Sequence, residues 1–282
     1  MLVSCFRRSL SPWLAMALAC VVSLAAMPAR AQSGVDEPVN ARASGGRQDL
    51  TTSSDETPLR KRARIRLELA TAYFSKGDLR TALDEVKQVL TIDSNFSEAL
   101  ELRGLIYDAL QEPSLAEESF NRALQANPRN GSAMHNFGWF LCRKKDYEQA
   151  DVMFGRAQQQ GFSVPTAKTL LVRGVCQIES GKVALAEKTI ARSYELDPSS
   201  AVTAYNLARV LMLQGEAQRA RFYIRRVNNV PEQANAESLW LGIRIENKLG
   251  NVSERDELAS ALRSRFGSSR EATALELGRF DE

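Results

Sequence analysis

Along residues 63–268 apolar residues recur at the three- and four-residue intervals of a single helix face, and polar punctuation interrupts them about every 17 residues. Asp93-Ser94, Asn127-Pro128 and Asp197-Pro198 each close a predicted helix pair. Proline cannot continue a helix interior, and a short Asp or Ser side chain caps the helix that follows. Inside the first helix of each pair stands a small residue: Ala70, Gly104, Gly138, Gly174, Ala208 or Gly242. An alanine follows twelve positions later at Ala82, Ala116, Ala150, Ala186 and Ala220, with Glu254 in its place in the last pair. Superposing these marks gives a 34-residue period and six units, 63–96, 97–130, 131–164, 167–200, 201–234 and 235–268.

The spacing resembles the tetratricopeptide (TPR) repeat, W-x2-L-G-x2-Y followed by A-x3-F, an alanine and a proline. Unit 97–130 carries it most fully, with Leu100, Gly104, Tyr107, Ala116, Phe120, Ala123 and Pro128. The fold this implies is all-α, a right-handed TPR superhelix (an α-solenoid) of about six helix-turn-helix repeats. A small residue in helix A and an alanine in helix B let the two axes approach to about 8–10 Å. Each unit can bury its apolar face only against its neighbours, so stability runs along the stack. Pro165 and Thr166 are additional to the period between the third and fourth units. We read them as a lengthened loop, the other reading being a hinge between two halves of the stack.

Outside the repeats the chain changes character. Arg7 and Arg8, the apolar run from Trp13 to Met27 and the small-x-small triplet Ala29-Arg30-Ala31 predict a secretory signal over residues 1–31, cleaved before Gln32. A competing reading is lipidation at Cys20, although Ala17-Leu18-Ala19 is a poor lipoprotein signal. Residues 32–62 read as a polar, disordered linker that cannot bury enough surface to offset chain entropy, and residues 269–282 read as a C-terminal tail. The expected location is the periplasm, with anchoring to the outer membrane as an alternative. The formal charge is +3, and removal of the three arginines of the signal leaves a nearly neutral chain. Nucleic-acid binding needs clustered cations, so no nucleic-acid partner is expected.

The sequence offers little catalytic chemistry. There is one histidine, His135, seven residues from Cys142 on the same predicted helix. At 1.5 Å per residue they lie roughly 10 Å apart, too far for a nucleophile and its base. No glycine-rich phosphate loop and no His/Cys metal cluster occurs, so no cofactor, no metal and no enzymatic activity are expected. Cys142 and Cys176 remain after processing; a disulfide and two buried thiols are both open.

In TPR proteins the A helices line a concave groove. The positions that would face it are Leu67 and Phe74; Glu98, Glu101, Leu105 and Asp108; His135, Trp139, Cys142 and Arg143; Leu171, Val175 and Ile178; Tyr205, Arg209 and Met212. This set is apolar at its centre, with Trp139 and Tyr205 as large anchors beside Arg143 and Arg209. Trp, Tyr and Arg are the residue types that most often dominate binding energy, so a protein segment is the expected ligand.

One further resemblance narrows the partner. Asn136-Phe137-Gly138-Trp139-Phe140-Leu141-Cys142 resembles the N-x-G-x-F-L-C signature of the type IV pilus biogenesis/stability (PilW/PilF) proteins. Tyr147-Glu148-Gln149-Ala150, the Ala220–Arg226 run and Leu262-x-x-Arg265-Phe266 fit as well. The resemblance implies a pilotin, a TPR stack that helps the pilus secretin reach the outer membrane and multimerise. Members are commonly lipoproteins, a point on which the weak signal at Cys20 departs from the pattern. The second reading is a general periplasmic TPR adaptor that coordinates envelope assembly.

Overall fold

The computed structural model describes residues 57–160 and 164–280, among which there are thirteen helices and no strand. The signal peptide, Cys20 and residues 32–56 of the linker lie outside the described residues. Helices α1 (Pro58–Ser75) and α2 (Leu79–Ile92) form the first pair, α3 (Ser97–Ala109) and α4 (Pro113–Ala126) the second, and α5 (Gly131–Arg143) and α6 (Tyr147–Gln159) the third. They are followed by α7 (Thr166–Glu179) with α8 (Val183–Leu196), α9 (Ala201–Leu213) with α10 (Ala217–Asn228), and α11 (Ala236–Leu249) with α12 (Val252–Phe266). A short last helix, α13 (Arg270–Glu276), packs on α11 and α12. The fold is an all-α TPR solenoid.

Two expected boundaries are corrected. Residues 58–62 are helical, not linker: Pro58 occupies the first helical turn, where it has no hydrogen bond to lose, and the Thr57 side chain caps the Arg60 N–H. Residues 269–280 are not a loose tail. Ser269 caps α13, and Ala272 and Leu275 are buried with Leu239, Ile243 and Leu262.

The pairs are held by close approach at the small position of helix A. At Gly104 and at Gly138, a Cβ would stand 2.9 Å from the ring of Phe120 and of Phe154 respectively. Those phenylalanines belong to the facing B helices and are fully buried. At Gly174 the facing residue is Ile190, whose Cγ1 would lie 2.3 Å from an added Cβ. Where the position is alanine, Ala70 and Ala208, it is fully buried as well. Helix A thus presents bare backbone to a large side chain of helix B.

Adjacent pairs then share apolar cores. Val86 and Val89 of α2 pack in one cluster with Ala99, Leu102 and Ile106 of α3. Phe120 of α4 stacks on Phe137 of α5 at 5.4 Å. A buried polar knot adds specificity between the second and third units. Glu101 accepts from Ser132 Oγ at 2.5 Å, from Asn136 at 2.7 Å and from Asn130 at 3.2 Å. Asn130 also donates to Ser97 Oγ, which donates to the Ala123 carbonyl. Burial raises the pKa of Glu101 above the usual carboxylate value, and the three hydrogen bonds offset part of that shift.

At the junction of the third and fourth units a disulfide joins Cys142 to Cys176, with Cα atoms 5.8 Å apart and a sequence separation of 34 residues, one period. Arg173 of α7 adds a two-pronged ion pair to Asp151 of α6, both contacts at 2.7 Å. Arg173 is the first cause, by hydrogen bonding, of the lowered Asp151 pKa. These links cross the insertion at Pro165 and favour the lengthened loop over a hinge.

Two outcomes follow. Gly138→Ala pushes a methyl into Phe154 and is expected to lower stability by about 1–3 kcal/mol, measured by urea unfolding. Removal of the disulfide in Cys142→Ser/Cys176→Ser is expected to cost about 3–4 kcal/mol from the closed-loop entropy. A melting temperature that does not change in the double variant would contradict this.

Candidate binding face

The A helices α1, α3, α5, α7 and α9 carry the side chains singled out in the sequence, but not all of them face solvent. Trp139 is 38% exposed and Arg143 is exposed; Arg143 pairs with Asp108, one period earlier. Leu171, Tyr205 and Met212 are half-buried against one apolar cluster, and Phe74 and Leu105 against another. Arg209 is within 3.3 Å of Glu179.

Four expected groove residues belong to the interior instead, among them Cys142, which is buried in its disulfide with Cys176 of the next A helix. Ile178 is buried in the apolar cluster formed with Ala186, Ile190 and Leu207. Glu101 is buried in the polar knot described above. His135 is buried between repeats, its Nδ1 3.1 Å from Thr169 Oγ1 and its ring edge-on to Phe154 at 6.1 Å. The position facing the groove in one repeat is taken in these cases by the following A helix. Burial, assisted by the Lys168 charge, lowers the His135 pKa to about 4, so the ring is neutral at neutral pH.

The structure brings Val175, Tyr205 and Arg209 together. They line a cavity of about 730 Å³ with Glu237 and Arg244 of α11 and Glu271 of α13. Trp139 is not part of it. Burial, with the carboxylates of Glu237 and Glu271, raises the Tyr205 pKa, so its hydroxyl stays protonated and available as a hydrogen-bond donor. The cavity mixes apolar side chains, Val175, Val202 and Leu241, with opposed charges, a surface suited to an amphipathic peptide segment.

Arg244, Glu237 and Glu271 are site residues that the repeat reading missed. Arg244 stands 35 residues after Arg209, and Trp240 stands 35 after Tyr205, so the cavity-facing positions of α11 fall one residue later than the 34-residue frame gives, while Gly242 keeps its place against Leu258. Asn235 caps α11 in a capping box with Ser238, which starts that helix at Ala236. Shifting the frame to the Asn cap would have placed Trp240 and Arg244 on this face. No sequence signal placed α13.

These features define a TPR α-solenoid. A tetratricopeptide-repeat family model matches residues 67–131. The chain is homologous to the type IV pilus assembly protein PilF of Pseudomonas aeruginosa, 28% identical over 221 residues that cover 76% of this chain and 86% of that one. It is similar to the crystal structure of PilW, described as a widely conserved type IV pilus biogenesis factor, at 29% identity and a TM-score of 0.71 over 76% of this chain and 98% of that one. The solved structure of P. aeruginosa PilF superposes with a TM-score of 0.70 over 79% of this chain and 100% of that chain, at 23% identity, and shows the same fold.

His135 gives a pH test. Below pH 6.5 an unfolded chain protonates this histidine, whereas the folded chain does so only near 4. Its contribution is therefore neutral above about pH 6.5, and stability falls as pH drops from there toward 4. Glu101 acts in the opposite sense, because a raised folded pKa favours the folded state at low pH and that gain is lost as pH rises. The histidine is isolated by substitution: His135→Gln is expected to lose less stability between pH 7 and pH 5 than the parent chain does, as read by urea unfolding.

Proposed function

We propose that this chain is a non-enzymatic interaction factor in type IV pilus biogenesis. Its A-helix face holds a segment of the pilus secretin and so assists secretin localisation or multimerisation at the outer membrane. Homology to PilF and the PilW-like fold support a TPR protein working in this process. The observation that carries the reading is the exposed Trp139, a large aromatic left uncovered on a face that also holds Arg143. Full burial of such a side chain is worth roughly 1.5–3 kcal/mol, a gain that a partner can realise. The cavity around Tyr205 and Arg209 supplies a second anchor point further along the stack.

The site works by complementarity. Trp139 and Tyr205 offer area at low conformational cost, and the arginines fix orientation through carboxylates or carbonyls of the partner. In this reading the protein works after export, with residues 1–31 removed, in the periplasm or held at the outer membrane. Among the described residues no helix is long and apolar enough to cross a membrane.

The test is binding of purified chain to purified secretin. Trp139→Ala/Tyr205→Ala is expected to weaken it by about 2–4 kcal/mol while helicity by circular dichroism is retained. Unchanged affinity would remove this face from consideration. Normal twitching and normal secretin multimers in a deletion strain would overturn the function itself.

A further inference from the structure

The two ends of the stack are finished differently. At the C-terminal end α13 covers the last pair with Ala272 and Leu275, and Phe280 stacks on Trp240 at 5.7 Å. At the N-terminal end no described element does this. Helix α1 packs on α2 and α3 with Ala63 and Ala70 fully buried, and its other face is open. Pro58, Lys61, Arg62, Ile65, Arg66 and Leu69 line a shallow groove along it.

The repeat register shows what is missing. Arg62 and Ile65 stand 34 residues before Phe96 and Ala99, both of which are buried against the preceding pair. Among the described residues no pair precedes the first unit. A purely protective cap would be polar at these positions. Instead Leu59, Ile65 and Leu69 are 63%, 52% and 42% exposed.

Cations surround these aliphatic side chains. Arg60, Lys61, Arg62, Arg64 and Arg66 lie within Pro58–Arg66, and no carboxylate occurs between Thr57 and Glu68. Asp55 and Glu56 precede the helix in sequence and lie outside the described residues. Arg60 and Arg66 pair with Asp93 and Glu85 on α2 and its C-terminal edge. Lys61 and Arg62 make no ion pair among the described residues, so both charges face outward. Aromatic side chains are absent from this groove, so of the residue types that dominate protein hot spots it holds only arginine. Exposed aliphatics flanked by long flexible cations are the composition of a helix lying at a lipid interface.

We infer that this face of α1 is a peripheral contact with an anionic phospholipid surface. Lys61 and Arg62 take lipid phosphates, and Ile65 and Leu69 enter the headgroup layer. The contact leaves the A-helix binding face free and does not depend on the identity of the protein partner.

Co-sedimentation of the full chain with phosphatidylcholine vesicles, with and without phosphatidylglycerol, tests this. The expected result is a preference for the anionic vesicles that fades at high salt. Lys61→Glu/Arg62→Glu is expected to reduce that preference by roughly tenfold or more. Ile65→Ser/Leu69→Ser is expected to weaken anionic binding while its salt response persists, and Lys188→Glu on α8 is expected to change nothing. All four apolar and basic positions face solvent, and unchanged melting curves would confirm that the variants are folded. Equal binding to both vesicles, or a preference that survives Lys61→Glu/Arg62→Glu, overturns the inference. Self-association without vesicles that is lost in Ile65→Ser/Leu69→Ser would assign the face to a second copy, and overturns it too.

Discussion

The structure depends on one steric constraint: at a fixed point in most pairs, helix A carries no side chain, and a ring or branched chain of helix B lies against its backbone. Gly104 with Phe120, Gly138 with Phe154 and Gly174 with Ile190 are the three tightest cases of this contact with an apolar side chain. The approach leaves no void, and packing at crystal density makes each added methyl costly. The 34-residue period is the sequence record of that geometry.

The same period governs how neighbouring pairs are joined. Cys142 with Cys176 and His135 with Thr169 are each separated by 34 residues, and Arg143 with Asp108 by 35. Residues about 34 positions apart on successive A helices become neighbours in space, although the Pro165 insertion puts the first two pairs at different positions of their units. Some interior polar groups are satisfied by the next repeat. Glu101 illustrates this, since its hydrogen bonds come from the start of α5. Such groups fix register between units, whereas apolar burial supplies most of the driving force.

This economy leaves two kinds of surface for function. On the A-helix side, Trp139 and the cavity beside Tyr205 are not needed to close the core. At the N-terminal end, the outer face of α1 is the surface a preceding repeat would have covered. One is aromatic and rigid, and the other is aliphatic and cationic. The chemistry of each suits a different kind of contact.

How much of this was legible in the sequence depends on range. Helix pairing, the six units and the close glycine positions follow from local periodicity, because a TPR contact lies within one unit or the next. The resemblance in Asn136–Cys142 pointed to the pilus proteins for the same local reason. Tertiary structure alone decided which groove positions are filled. His135, Glu101 and Ile178 carry residue types that could face solvent, yet the next A helix covers them. It also decided that Cys142 and Cys176 meet, since a two-residue insertion made their helical positions appear different while their spacing remained one period. The helix at 270–276 and the residues it brings to the cavity have no repeat to announce them. A periodic sequence determines the repeating contact; the ends of the stack, and any offset between units, are fixed only when the chain is packed.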